Sequence, residues 1–409
     1  MTDAAPHGSG APGPPRAGQD APERRDGTGR GVGWVAVAAW GVAALAVALW
    51  RNGVWATLNL DLFARMADRF GRPADLPASA DYLLASPLGP AVARALRQTD
   101  PHAYARLHLV VALVGLGAVL VATARALGAT AARNLAVALA VAPVTTSTLG
   151  WLGQPDAFSL PLALALVVVR SPAATLALAV PLGLAHPEQG LVIAVTATLA
   201  RMAIDDERSW RRIAGWVATV GGGVLAGRAL TEVYLRVTDQ RITRPRTAFV
   251  DLGLDGFWRH HTQDAGWVLW SLWGLLWVVL VGAAATVVRR DRRAWALLGI
   301  GAALALAPTF LTLDETRVHG VVTAPLVVGG AVLLARLERP GTRAGVALAA
   351  ALLVAGLLVP AAFTAGTACR SHDLPTAEMV RFLVDGDDRR DADLFGWLYG
   401  PCPFVIPTD

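Results

Sequence analysis

The sequence predicts an all-α, polytopic membrane protein, and three observations carry that expectation. Of 409 residues, 54% are hydrophobic and only 16% are charged, against the ~25% charge of an ordinary soluble domain. Several apolar runs approach the ~20 residues that a helix needs to cross a bilayer. Those runs are continuous rather than alternating, which excludes a lipid-exposed barrel. Backbone facing lipid must satisfy its own hydrogen bonds, and that leaves helices.

Composition narrows the chemistry. Every Lys-or-Arg position is arginine; lysine is absent. That excludes a Walker-type phosphate loop, a Schiff-base lysine and pyridoxal-phosphate chemistry. The formal charge of +5 is spread over many loops, so it is no sign of a nucleic-acid partner. The two cysteines, Cys369 and Cys402, have a spacing that rules out a zinc cluster built on cysteine alone. In a tail outside the cytoplasm they predict a disulfide.

Taken in order, residues 1–31 are rich in Pro, Gly, Ala and charge and predict a disordered tail. Arg24, Arg25 and Arg30 precede the apolar run from Val32 to Trp50. It reads as an uncleaved anchor, which places the N-terminus in the cytoplasm. Residues 51–106 form a first outer loop. Within it Leu62, Phe63, Met66 and Phe70 recur at helical spacing, opposite Asp61, Arg65, Asp68 and Arg69. A weaker pattern runs through Tyr82, Leu83, Val92 and Leu96, and both suit helices lying in the interface.

Further spans are expected at 107–124, 134–149, 188–203, 213–232, 267–288, 294–312, 318–335 and 344–365. Two shorter apolar segments, 157–169 and 172–185, flank Arg170-Ser171-Pro172. They either tilt through a locally thin region or enter and leave within protein. If both cross, the count is about eleven. The transmembrane domain then covers 32–365, with a second outer loop at 234–266 and an extracytoplasmic tail at 366–409. Connectors bearing Arg125/Arg133, Arg170, Arg201–Arg212, Arg289–Arg293 and Arg336–Arg343 fall on one side in this count. Those bearing Gly153–Asp156, His186–Gln189 and Asp314–His319 fall on the other. By the positive-inside rule the arginine side is cytoplasmic, in a plasma membrane.

The candidate functional residues lie on the opposite side. Leu313-Asp314-Glu315-Thr316-Arg317-Val318-His319 wedges two acids, an arginine and a histidine between apolar runs, an expensive placement unless they are used. In Gly153-Gln154-Pro155-Asp156, Asp156 stands where a helix N-cap would, and Trp151 beside it can stack on a sugar. His186-Pro187-Glu188-Gln189 repeats that design, with proline in the first turn and Glu188 near the positive end of the next helix. Helix initiation accounts for both turns; anion binding at a helix N-terminus is the functional alternative. Asp61 is either half of a solvated i,i+4 pair with Arg65 or a general base held at the membrane surface. Arg228 and Glu232 form either a local ion pair or part of a site. The loop with Arg236, Arg241, Arg244, Arg246, Trp258 and His260 contacts membrane lipid headgroups, or binds phosphate through arginine. The adjacent His260-His261 lacks the spacing of metal ligands on a helix face.

This layout resembles the GT-C class of membrane glycosyltransferases over about 33–365. The shared parts are a cytoplasmic start, a large first outer loop with interfacial helices, many spans, and polar motifs confined to the outer face. The resemblance implies transfer of a sugar from a polyprenyl-phosphate donor to an extracytoplasmic glycan, lipid or protein. It also implies an acidic base in the first outer loop, here Asp61, with Asp156 and Asp314 as the other carboxylates. The Asp-x-Asp or Glu-x-Asp form common in that class is missing from that loop, so no cofactor is fixed and a divalent metal stays an option. Arg317 and Arg228, with His319, Glu188, His186, Gln154, Trp151, Trp258 and His260, are the expected substrate contacts. A transporter of a polar or anionic solute is the rival reading, and a non-enzymatic membrane scaffold is a third.

Overall fold

A computed structural model describes residues 33–52, 59–77, 80–243, 262, 265–277, 291–310, 315–338, 343–359, 361–365, 368–371 and 376–385. Apart from one short hairpin, its regular elements are helical. α1 (Trp34–Asn52) leads to α2 (Leu60–Asp68), a 3-10 turn over Asp81–Ala85, and α3 (Leu88–Ala95). Then come α4 (Pro101–Leu127), α5 (Ala129–Val141), α6 (Pro143–Gly150), α7 (Asp156–Val168), α8 (Pro172–Ala185), α9 (Pro187–Asp205) and α10 (Trp210–Val237). α11 (Ala265–Trp273), α12 (Arg292–Phe310), α13 (Glu315–Leu337) and α14 (Ala344–Leu358) follow. The described chain closes with β1 (Ala362–Ala365), β2 (Ala368–Ser371) and α15 (Thr376–Asp385).

Among the described residues, four helices are long and apolar enough to cross a membrane: α1, α4, α10 and α13. The apolar window of α13 is 72% buried, whereas those of α1, α4 and α10 are 22–28% buried. So α13 is the axis of the bundle, with α5, α7, α9 and α12 packed round it. The other three present wide apolar faces outward.

Several boundaries differ from those the sequence predicts. The expected span 134–149 is two helices, because Pro143 disfavours helical geometry at Ala142, which is extended (φ −77, ψ 137). α4 starts at Pro101, ahead of its apolar run, because the Asp100 carboxylate accepts from the Ala103 N–H at 2.9 Å and caps it. The expected span 344–365 stops at Leu358, and its last residues form β1, which pairs antiparallel with β2. That hairpin crosses the expected boundary between membrane domain and tail. The weaker interfacial pattern splits at Ser86-Pro87 into the 3-10 turn and α3. α7 and α8 have 13 and 14 residues, about 20 Å each, too short to span an ordinary bilayer alone. Nearly all of α7 is buried, so it runs within protein.

Arginines collect at one end of the bundle. The Arg133 guanidinium binds the Glu338 carboxylate, which also accepts from Asn134 at 3.0 Å. Arg170 and Arg201 both pair with Asp205. Glu207 closes the turn before α10, and the Ser209 N–H above all, then Arg212, hold its carboxylate below the ordinary range. Three arginines, at both ends of the bundle, cap the end of another helix. Arg51 donates to the Val141 carbonyl of α5 and Arg201 to the Val169 carbonyl after α7, each at 2.7 Å; Arg336 donates to Ile204 of α9. These carbonyls, at helix C-termini, have no partner within their own helix.

α8 and α10 pack backbone to backbone. A Cβ on Gly227 would run into the Val180 carbonyl and Gly183, and one on Gly183 would run into the Val224 carbonyl. Gly223 and Gly227 are thus the small-x-x-x-small surface that lets two membrane helices approach closely.

Candidate functional site

The end of the bundle opposite the Arg170–Arg201–Asp205 cluster is built from turns far apart in sequence. α7 runs from Asp156 at this end to Val169 beside Arg201 at the other, and α9 and α13 run the same way. Thr196 on α9 donates to the Val322 carbonyl on α13 at 2.7 Å, which fixes their parallel register. Ala185, just before α9, shares an apolar cluster with Ala157 and Phe158 of α7. Three parallel helices therefore begin side by side, with their positive dipole ends at one place.

Into that place α13 sends Arg317. Its Nη1 donates to Gln154 Oε1 at 3.2 Å, across 163 residues of sequence. Its Nε lies 3.6 Å from Asp156 Oδ2, and its guanidinium carbon stands 5.5 Å from the centre of the Trp151 ring. The Asp156 side chain is 1% exposed and that of Arg317 15%, so this ion pair is largely removed from water. Four expected residues, Trp151, Gln154, Asp156 and Arg317, thus form one unit. Trp151 meets an arginine face here, a cation–π contact.

The turn that presents them depends on Gly153. Its φ of +95° favours glycine, and a Cβ would sit 2.7 Å from Leu60 Cδ1 and 3.6 Å from Leu60 Cα. Leu60 opens α2, so this close approach sets Asp61 beside the site turn. Asp61 is exposed with Arg65, while Leu60, Phe63 and Met66 are buried, the amphipathic face that the spacing predicts. With Leu83, Leu152 and Phe382 these form a separate apolar core capping this end of the bundle.

Asp156 is the first residue of α7 rather than its N-cap; Pro155 takes that position. His186 does precede α9 as N-cap. Its Nδ1 lies 3.4 Å from the Gln189 backbone N and 3.2 Å from Glu188 Oε2. A bare Nδ1 caps α9 and a protonated one holds Glu188, so the tautomer decides. Glu188 is 51% exposed. His319 is buried with its ring 5.4 Å from Trp273. Arg228 pairs with Glu232 one turn away on half-exposed α10, the local ion pair of the simpler reading. Asp314, Trp258, His260 and Cys402 lie outside the described residues, and of Cys369 only the backbone, in β2, is described. Among the described residues, no three His, Cys, Asp or Glu side chains gather as a metal ion would require.

The chain matches no protein-family model, no curated protein and no solved structure. The site therefore stands on its own geometry.

Two features beside it are not among the expected catalytic or substrate-binding residues. His108 donates from Nδ1 to the Tyr104 carbonyl at 2.9 Å and packs edge-on against Phe158. Its Nε2 and the Tyr104 hydroxyl both face Gly89, where a Cβ would come within 3.0 Å and 2.7 Å of them. The second feature is Gln189 with Ser159, taken up below. Gln189 follows Glu188 directly, and it sits on a stripe with the buried Ile193, Thr196 and Ala200. A polar residue on a buried helical stripe is the signal that finds it.

Proposed function

We infer that this chain is an integral-membrane glycosyltransferase that moves a sugar from a polyprenyl-phosphate donor to an acceptor outside the cytoplasm. The observation behind the reading is the convergence of Arg317, Gln154, Asp156 and Trp151 where three parallel helices begin. Helix N-termini and a planar guanidinium are both suited to phosphate oxygens. In the reaction the acceptor hydroxyl oxygen bonds to the anomeric carbon. The bond from that carbon to the phosphate oxygen breaks, its electron pair leaving with the polyprenyl phosphate, and the hydroxyl proton passes to a carboxylate. Asp61, exposed beside the turn, takes that proton; Asp156, buried against Arg317, positions the arginine. Arg317 stabilises the charge on the leaving phosphate.

In this reading the arginine end is cytoplasmic and the Arg317 end external, with about eleven crossings and α7–α8 as the short pair. Reporter fusions after Arg212 and Arg293 are expected to read cytoplasmic, and fusions after Glu188 and Asp264 external. The reverse pattern removes the external acceptor. The function itself is tested with purified protein in lipid nanodiscs given a polyprenyl-phosphate sugar labelled in the sugar. Saturable retention of the lipid, and label transfer when envelope extract is added, are the expected results. Retention with export of label into vesicle lumens and no covalent product would favour a transporter.

A further inference from the structure

Two buried polar side chains close to Arg317 have no hydrogen-bond partner among the described residues. Gln189 is 4% exposed, and both its amide nitrogen and its amide oxygen are unpaired. Ser159 is fully buried with an unpaired hydroxyl. Other hydroxyls in the neighbouring helices, those of Thr198, Thr231 and Thr323, donate to a carbonyl four residues back. Ser159 does not.

Both side chains lie on faces turned toward α13. Gln189 precedes Thr196 by two turns, about 7 residues, on the stripe that meets α13 at Val322 and, through Ala200, at Gly329. Two turns back from Val322 is Glu315, so Gln189 stands level with the first turn of α13, the turn that carries Arg317. Ser159 follows Asp156 by three residues on α7 and shares its face, the face that meets Arg317. The two residues therefore sit on neighbouring helices at the level of the turn that carries Arg317, with Ser159 about one turn further along α7 than Asp156.

A primary amide offers two donors and an acceptor, and a serine hydroxyl offers one of each. Buried and unpaired, such groups are unfavourable, and a ligand that pairs them relieves the penalty. The Asp156 carboxylate beside Ser159 is an acceptor for neutral hydroxyl donors. The geometry points to Gln189 and Ser159 as the residues that read the hydroxyl groups of the donor's sugar while its phosphate sits at Arg317. This rests on the function proposed above, and adds to it the groups that recognise the sugar.

The test compares two lipids on the same protein in nanodiscs: bare polyprenyl phosphate, and polyprenyl phosphate carrying glucose, mannose or galactose. Wild-type protein is expected to bind its preferred sugar lipid at least about tenfold more tightly than the bare lipid. Gln189→Leu keeps the affinity for bare lipid and loses about tenfold for the sugar lipid. Ser159→Ala does the same in smaller measure, and it carries the test if Gln189→Leu does not fold. Wild-type protein that binds neither lipid overturns the phosphate site, and this inference with it. Wild-type protein that binds bare lipid without a gain from the sugar overturns the inference alone. So does an undiminished gain in both variants.

Discussion

Arg317→Lys is expected to express, insert and melt like the wild type while losing about 100-fold or more in transfer rate. Lysine keeps the positive charge beside Asp156, so the buried carboxylate retains a counter-ion and the fold retains its contact. What disappears is the planar fork, which alone can hold Gln154 with one nitrogen, face Asp156 with another and still present a flat edge to phosphate. Arg212→Lys, at a side chain 79% exposed in the first turn of α10 at the opposite end of the bundle, is the control and should change nothing. Rates measured with a lipid-linked sugar decide the matter. Full activity in Arg317→Lys would return the residue to a structural role in the turn.

The second large effect is on stability. Gly227→Leu is expected to destabilise the protein by about 3 kcal/mol or more, because the new side chain meets backbone, which has no rotamer to yield. Gly222→Leu lies on the same helix, where a Cβ meets nothing within 4 Å, and should fall within about 0.5 kcal/mol of wild type. Thermal melts in one detergent compare the pair. Equal melting temperatures would mean that α8 and α10 do not touch as described.

The helices themselves are legible in the sequence, because a long apolar run must close its backbone hydrogen bonds on itself when it sits in lipid. Their ends are less so. A single proline at position 143 divides a run whose hydropathy is continuous, and the residues after Leu358 are apolar enough for helix yet pair as a strand. For the site, sequence supplies the residues and hides the partnership. Asp156 and Arg317 each make sense locally, as a helix start and as a wetted turn. Only the parallel register of α7, α9 and α13 sets one against the other. Glu188 carries a charge and draws attention, but it points outward at 51% exposure, whereas its neighbour Gln189 is buried. Charge marks residues in a sequence; burial is assigned by the helix face.

The arginines that cap helix ends also dictate an order of assembly. The final carbonyls of α5 are met by Arg51, which has already been synthesised when α5 enters the membrane. α7 is in the opposite position: its Val169 carbonyl has no arginine until Arg201 arrives at the end of α9. The end of α9 in turn waits for Arg336, 132 residues later, at the end of α13. Chains emerge N-terminus first, so the α7 carbonyl gains its arginine once α9 is made, and the α9 carbonyl gains its own only once α13 is made. The helix that delivers Arg317 to the site is thus also the one that closes the bundle, and a chain cut before Arg336 lacks the bond that completes it.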